Sequence, residues 1–344
     1  MIDFKKILKN IDKDVHILTH NFPDPDAIGS ALGMHRYIHS LGYKTGSIFY
    51  SGEISHPQNM SLINILNLKI VNCENYKFEP NTKVILVDTN NIGPDSNQPY
   101  IDLKNIDIVA VLDHHKGKNP KDSELDIRDV GACSSIAWDY LNSISYDFTS
   151  DEGSILATAL ITGISTDTDS LMSDTVANLD FQAFQQMIKH VDRKSLIDIM
   201  RYPLPPYLFE LRQKAFQEDT RKLVESTMVS GVGIITPSKR DALPIISDEF
   251  LRMTGVTTSV VFAIIRDENN EYIDISIRSK NQTIDVGQFL QKTFGAGGGK
   301  KGAGRATIPL GFFETNGDSD FNKKVWSLVE QIVHKKVFAN IKGE

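Results

Sequence analysis

Four short clusters of acidic residues and histidines stand out from an otherwise ordinary chain. They are His20-Asn21-Phe22-Pro23-Asp24-Pro25-Asp26, Asp88, Asp113-His114-His115, and Asp167 within Gly163-Ile164-Ser165-Thr166-Asp167-Thr168-Asp169. Carboxylates and neutral imidazoles together suit manganese, iron, zinc or magnesium, and the lack of thiolates in the set argues against structural zinc. The clusters hold more ligands than one ion needs. Two ions about 3.5–4 Å apart and sharing one carboxylate would use them; such a pair activates water and stabilises in-line displacement at phosphorus. Plainer roles stay open for each residue alone. An Asp after a strand often caps a helix or makes a turn, His20 could be a capping or surface histidine, and Asp26 could cap the helix that begins at Ala27. Only the four clusters taken together point to metal.

The elements that must position them follow an alternating rhythm. Residues 15–19 form a short apolar run that breaks at a turn, and a helical pattern over 27–41 closes at Gly42. The compact apolar runs 83–87 and 106–112 predict buried parallel strands. Helices are expected at 133–142, 152–163, 177–190 and 193–200. This pattern predicts an α/β fold with an open, mostly parallel sheet flanked by helices. Ligands in such sheets bind beyond the carboxyl ends of the strands, and three of the four clusters fall there. Three prolines at 203, 205 and 206 then punctuate the chain. The expected domains are residues 1–200, a linker helix within 201–225, and a smaller α/β domain over 226–344. That last domain should hold strands at 227–236, 258–266 and 272–279, a helix at 284–294, a Gly-rich loop at 295–304, a strand at 305–312 and a helix at 321–338.

The four clusters resemble the successive motifs of the DHH phosphoesterase superfamily. Ile277-Arg278-Ser279-Lys280 and the run from Gly297 to Gly304 resemble the DHH-associated substrate-binding domain, so the likeness spans nearly the whole chain. The layout resembles the branch of oligoribonucleases (nanoRNases), pAp phosphatases and cyclic-di-AMP or linear dinucleotide phosphodiesterases. The resemblance implies two divalent ions, usually manganese. His20, Asp24 and Asp88 would hold one; Asp26, Asp88, His114 and Asp167 would hold the other. It further implies His115 beside the scissile phosphate, Asp113 orienting a histidine, and Ser30 and Thr168 in support. Two departures concern the substrate: Lys300 stands where the family usually has His, and Leu171 where it often has an aromatic residue.

The basic loop carries meaning without the family. Arg278, Lys280, Lys300, Lys301 and Arg305 crowd into a short stretch of a chain whose net charge is −7. Gly298 and Gly299 let backbone N–H groups approach an anion closely, and Arg can hold phosphate with two hydrogen bonds. Arg278, Ser279, Gly298, Gly299, Lys300, Lys301 and Arg305 are therefore the expected substrate contacts.

The remaining composition excludes rather than identifies. An acidic chain of 344 residues does not coat long duplex nucleic acid. Two cysteines, Cys73 and Cys133, make no disulfide framework. Neither a signal peptide nor a membrane span is expected, so the cytoplasm is the expected compartment. The expected partner is a small nucleotide or short oligonucleotide, with a homodimer possible by resemblance. Two alternatives remain: an inorganic pyrophosphatase or polyphosphatase of the same superfamily, and a catalytically inactive nucleotide sensor.

Overall fold

The computed structural model describes residues 1–74, 76–90, 105–115, 117, 120, 122–267, 270–281, 284–300, 302–313 and 319–342. They divide into two compact units, Met1–Pro203 and Leu204–Glu344.

The first unit is a six-stranded parallel sheet. Its strands are β1 (Val15–Asn21), β2 (Thr45–Ser51), β3 (Ile70–Asn72), β4 (Thr82–Val87), β5 (Ile106–Asp113) and β6 (Glu124–Ile127). They lie in the order β3-β2-β1-β4-β5-β6. Its helices are α1 (Phe4–Leu8), α2 (Pro25–Ser40), α3 (Pro57–Ile65), α4 (Cys133–Ser143), α5 (Asp151–Asp167), α6 (Asn178–Met187) and α7 (Arg193–Met200). Strand β4 shows why the sheet is buried on both faces. Ile85 and Val87 join one apolar cluster with residues of α2, α4 and α5, while Val84 and Leu86 join another with Phe49 and Phe78. An alternating backbone whose two faces both need apolar cover gives the continuous Val-Ile-Leu-Val run seen in the sequence. The strand order reverses direction between β1 and β4, and such a switch point opens a crevice at the carboxyl edge.

The second unit opens with α8 (Pro206–Ala215), then β7 (Arg221–Val224), β8 (Thr227–Ile235), α9 (Ala242–Phe250), β9 (Thr258–Arg266), β10 (Glu271–Ser279), α10 (Val286–Phe294), β11 (Gly298–Lys300), β12 (Ala303–Pro309) and α11 (Ser319–Lys342). Its sheet order is β11-β12-β10-β9-β8-β7. Pairing is antiparallel except between β8 and β9, which α9 connects. Val261, Ala263 and Ile265 of β9 pack with α8 and α9, and Val260, Phe262 and Ile264 pack with α10 and α11.

The linker helix expected within 201–225 is shorter, Pro206–Ala215. The helix stops at Ala215, because the Thr220 hydroxyl donates to the carbonyls of Lys214 at 2.6 Å and Gln217 at 3.0 Å. The chain then enters the β7–β8 hairpin, and α8 packs into the second unit's own core. The Gly-rich loop is corrected too. Residues 298–300 and 303–305 pair as an antiparallel hairpin, since Gly299 lies flush against the backbone of Ala303 and Gly304.

Candidate metal centre

The loop between β1 and α2 places the first three ligand types. His20 Nδ1 lies 2.8 Å from the Asn21 carbonyl, which turns Nε2 toward Asp24 at 3.9 Å and Asp88 at 3.4 Å. A ring nitrogen hydrogen-bonded in this way leaves the other as a ligand atom. Asp24, not Asp26, caps α2: its Oδ1 accepts from the amides of Asp26 and Ala27, both at 3.0 Å. Asp26 caps a different helix. Its two oxygens accept from the amides of Cys133 at 2.6 Å and Ser134 at 2.8 Å, at the start of α4, whose own N-cap is Ala132. A buried carboxylate thus sits on the positive end of a helix from a distant part of the chain. Ser30 donates to the Asp26 carbonyl at 2.7 Å.

Asp88 follows β4 with φ at +57°, a left-handed backbone that Asp tolerates better than most residues. Its amide donates to Leu112 O at 2.9 Å, so β5 holds the turn. The side chain is buried between two histidines, with His114 Nε2 at 3.3 Å on one oxygen and His20 on the other. Burial pushes its pKa up, but the two imidazoles outweigh this and hold it well below the usual carboxylate range. Burial works against the charged form of His114 as well. Asp88, then Asp26 and Asp167, overcome it and raise that imidazole to about 10.

Asp113 ends β5 fully buried. Its Oδ1 accepts from the amides of His114 at 2.8 Å and His115 at 3.1 Å, and lies 2.9 Å from His115 Nδ1. That contact fixes the ring of His115, which is 47% exposed and thus open to a ligand. His114 Nδ1 faces the Val130 carbonyl at 3.1 Å, so its Nε2 points to Asp88, Asp26 and Asp167. The fourth cluster arrives from the last residue of α5. Asp167 Oδ2 is 3.3 Å from His114 Nε2, and Thr168 donates to the Ile164 carbonyl, closing the helix.

The structure therefore brings all eight predicted residues of the first unit together. Ligand atoms of His20, Asp24 and Asp88 lie within 4.8 Å of one another, as do those of Asp26, His114 and Asp167. Asp88 and His114 also group with Asp113 and His115, and their facing atoms, 3.3 Å apart, link the two sets. Two divalent cations fit this arrangement. Asp88 Oδ1 and His114 Nε2 are buried atoms without a hydrogen-bond partner, both facing the cluster, and an orphaned polar atom is costly unless something coordinates it. Burial and the charges of Asp88 and Asp167 drive the Asp26 pKa well up, which is repulsion a cation relieves. Supporting residues escaped sequence reading because their partners are remote. Asp180 accepts from the Gly131 amide at 2.8 Å, fixing the loop whose Val130 carbonyl meets His114. Asn90 donates to the His115 carbonyl at 2.8 Å.

In the second unit, Arg278, Gly298, Gly299 and Arg305 line a pocket of about 310 Å³ with Ser276 and Pro244. The register Ser276↔Arg305 and Arg278↔Ala303 puts these side chains on one face of β10 and β12. Arg278 Nε lies 3.2 Å from the exposed carboxylate of Asp248. Arg305 is held differently: Nε and an Nη bind the buried Asp274 carboxylate at 2.8 and 2.7 Å, so its fork is already occupied. Ser279 does not line the pocket. Its hydroxyl is buried against Thr258 Oγ1 at 2.9 Å. The backbone of Lys300 lies in β11, and Lys301 falls outside the described residues.

Comparisons with known proteins agree with this layout. The DHH family, N-terminal domain, matches residues 14–164, and the DHHA1 domain matches residues 234–335. An uncharacterized protein of Methanocaldococcus jannaschii is 35% identical over 93% of this chain, which spans 63% of that protein's length. The bifunctional oligoribonuclease and PAP phosphatase NrnA of Thermus thermophilus is 24% identical over 87% of this chain and 86% of its own. A "Probable manganese-dependent inorganic pyrophosphatase" of Streptococcus thermophilus is 27% identical over 47% of this chain and 50% of its own. The crystal structure of an exopolyphosphatase-related protein from Bacteroides fragilis shares the fold, with a TM-score of 0.68 at 17% identity, over 96% of this chain and 94% of that one. Fold and site together define a two-domain α/β protein built around paired cation sites. The chain belongs to the DHH phosphoesterase superfamily, with DHHA1 as its second domain.

Proposed function

We propose that this protein hydrolyses phosphate esters of short nucleotides, releasing nucleoside monophosphates from short oligonucleotides, linear or cyclic dinucleotides or adenosine 3′,5′-bisphosphate. The observation that carries the reading is that Asp88, grouped with His20 and Asp24, lies 3.3 Å from His114, which groups with Asp26 and Asp167. His20, Asp24 and Asp88 would hold one ion, and Asp26, Asp88, His114 and Asp167 the other. Manganese is the first candidate, since pyrophosphatases similar to the first unit are described as dependent on it. When bound, two such ions supply an activated water and neutralise charge on the phosphoryl group.

The chain's own residues do the rest. Asp113 fixes His115 through Nδ1, leaving Nε2 to face a phosphate oxygen or the leaving group, to which it donates when the ring carries both protons. The amides of α4 pin Asp26, and the Val130 carbonyl pins His114, so the ligands are set before substrate arrives. In the second unit, Arg278 and the glycine backbone at 298 and 299 offer a place for a further phosphate of the substrate. The test is manganese-dependent turnover of 5′-phosphorylated diadenylate, cyclic di-AMP and adenosine 3′,5′-bisphosphate, followed by chromatography. Release of AMP supports the reading. Cleavage of pyrophosphate alone would transfer the protein to the pyrophosphatase alternative, and absence of bound metal would leave the inactive sensor.

A further inference from the structure

A second cavity, of about 570 Å³, opens in the first unit beyond the carboxyl ends of β2 and β3. That volume suits a small organic ligand. One lining residue, Phe22, belongs to the loop between two of the proposed ligands, two residues from His20 and two from Asp24. The Phe22 amide donates to Ser51 O at 2.8 Å, Ser51 Oγ to Asn21 Oδ1 at 3.0 Å, and Asn59 of α3 to Pro23 O at 3.0 Å. The loop carrying two of the proposed ligands is thus hydrogen-bonded to both sides of the cavity.

The backbone at this wall is held in an unfavourable form. Phe22 has φ at +56°, a region bulky residues avoid, and such strain collects where a side chain must be aimed. Its ring lies so close to Gly52 that a Cβ there would come within 2.6 Å of Phe22 Cδ1. Gly52 is itself gripped from β3: Asn72 donates to its carbonyl at 2.9 Å, and Glu74 Oε1 accepts its amide at 2.9 Å. The rim is therefore built, not a chance gap between side chains.

Its chemistry selects the ligand. Phe22, Tyr50 and Met60 supply flat and polarisable apolar surface, and exposed Glu53 supplies carboxylate acceptors, whereas Asn72 and Glu74 are bonded to Gly52. None of the lining residues is Lys, Arg or His, and two are carboxylates, so a phosphate is repelled. A planar base with hydrogen-bond donors is favoured. A carboxylate accepts two donors side by side, and guanine presents them as N1–H and the N2 amino group, whereas adenine and cytosine expose one amino group and uracil one N–H.

We propose that this cavity is a base-binding subsite beside the loop between His20 and Asp24, with a preference for guanine read by Glu53. The inference rests on the phosphoesterase reading for its kinetic consequence but not for its binding consequence. The experiment therefore has two arms. With manganese-loaded protein, kcat/KM is measured for the 5′-phosphorylated homodinucleotides of G, A, C and U, and for the base-free ester bis(p-nitrophenyl) phosphate. With metal chelated, binding of guanosine 5′-monophosphate and uridine 5′-monophosphate is followed by ligand-observed NMR. Parent protein should favour the G dinucleotide about tenfold. The E53Q variant should erase that preference through KM, and M60W should fill the cavity, while both keep the base-free rate. Equal kcat/KM for all four dinucleotides, or an unchanged base ranking in E53Q, overturns the subsite. Selective binding of the guanine nucleotide, lost in M60W, without hydrolysis of any ester would overturn the phosphoesterase reading and keep the subsite.

Discussion

At the scale of single residues, the site reverses what isolated side chains prefer. Asp88 sits in a left-handed backbone, nearly without exposure, between two imidazoles it shares with other carboxylates. Asp88→Asn keeps the shape and removes the charge both ligand groups share. We expect bound manganese, measured by elemental analysis, to fall from two ions to at most one, with activity down at least about a thousandfold, or about 4 kcal/mol of barrier. Full occupancy with full activity would refute a shared Asp88. Asp167 presents the opposite balance. Its carboxylate is the last residue of α5, where the helix dipole opposes negative charge, and it adds to the repulsion on Asp26. Asp167→Asn removes that repulsion together with the attraction to His114, 3.3 Å away, so its clear effect falls on the ion: it should shrink the rise in Tm that manganese gives. Melts in chelator and in manganese measure that rise, and a rise equal to the parent's would refute Asp167 as a ligand.

Elements explain how residues so far apart meet, and also what sequence reading could reach. Strands β4 and β5 were legible because burial on both faces leaves a continuous apolar run, and α2 because Gly42 closes it with φ at +87°. Strand β2 was not legible, since Gly46, Ser47 and Ser51 interrupt its pattern. Helix α9 was missed because Pro244 near its start reads as a breaker, although Ala242, Leu243, Ile246 and Phe250 keep helical spacing. The cluster residues were visible by type and spacing, but their supports were not: the capping of α4 by Asp26 and the reach of Asp180 to Gly131 span distances no local pattern records. The face of β10 that Ser279 occupies was not legible either, since a small hydroxyl in a basic motif gives no sign of it. One close packing turns this element geometry into a measurable quantity. A Cβ on Gly163 of α5 would meet Ser134 Oγ at 2.4 Å and Asp26 Cα at 2.9 Å, the latter being backbone that cannot swing away. Gly163→Ala should cost about 1–3 kcal/mol of stability by overpacking and weaken manganese binding as Asp26 is displaced. Unchanged Tm and unchanged metal affinity would show that α2 and α5 part freely.

Over the whole molecule, charge is divided between tasks. The chain is acidic overall, with carboxylates gathered in the first unit's metal cluster, yet one pocket of the second unit is lined by two arginines and glycine backbone. Those arginines are not equivalent. Arg305 is fixed by a buried carboxylate and chiefly supplies field, whereas Arg278 leans on Asp248, whose side chain is 55% exposed. An exposed pair of that kind contributes little to stability, so an incoming phosphate can take Asp248's place. Arg278→Ala should then raise KM for 5′-phosphorylated diadenylate about 10- to 100-fold, the loss of one charge-assisted contact of about 1.5–3 kcal/mol, with bound manganese and Tm unchanged. Arg278→Lys should recover only part of the loss, because an ammonium cannot match the guanidinium's paired donors. The same dinucleotide without its 5′-phosphate separates the possible contacts. If Arg278 grips the terminal phosphate, that substrate begins with the high KM and Arg278→Ala leaves it there. An equal rise for both substrates would move Arg278 to the phosphate that is cut, and no rise for either would remove it from the substrate site.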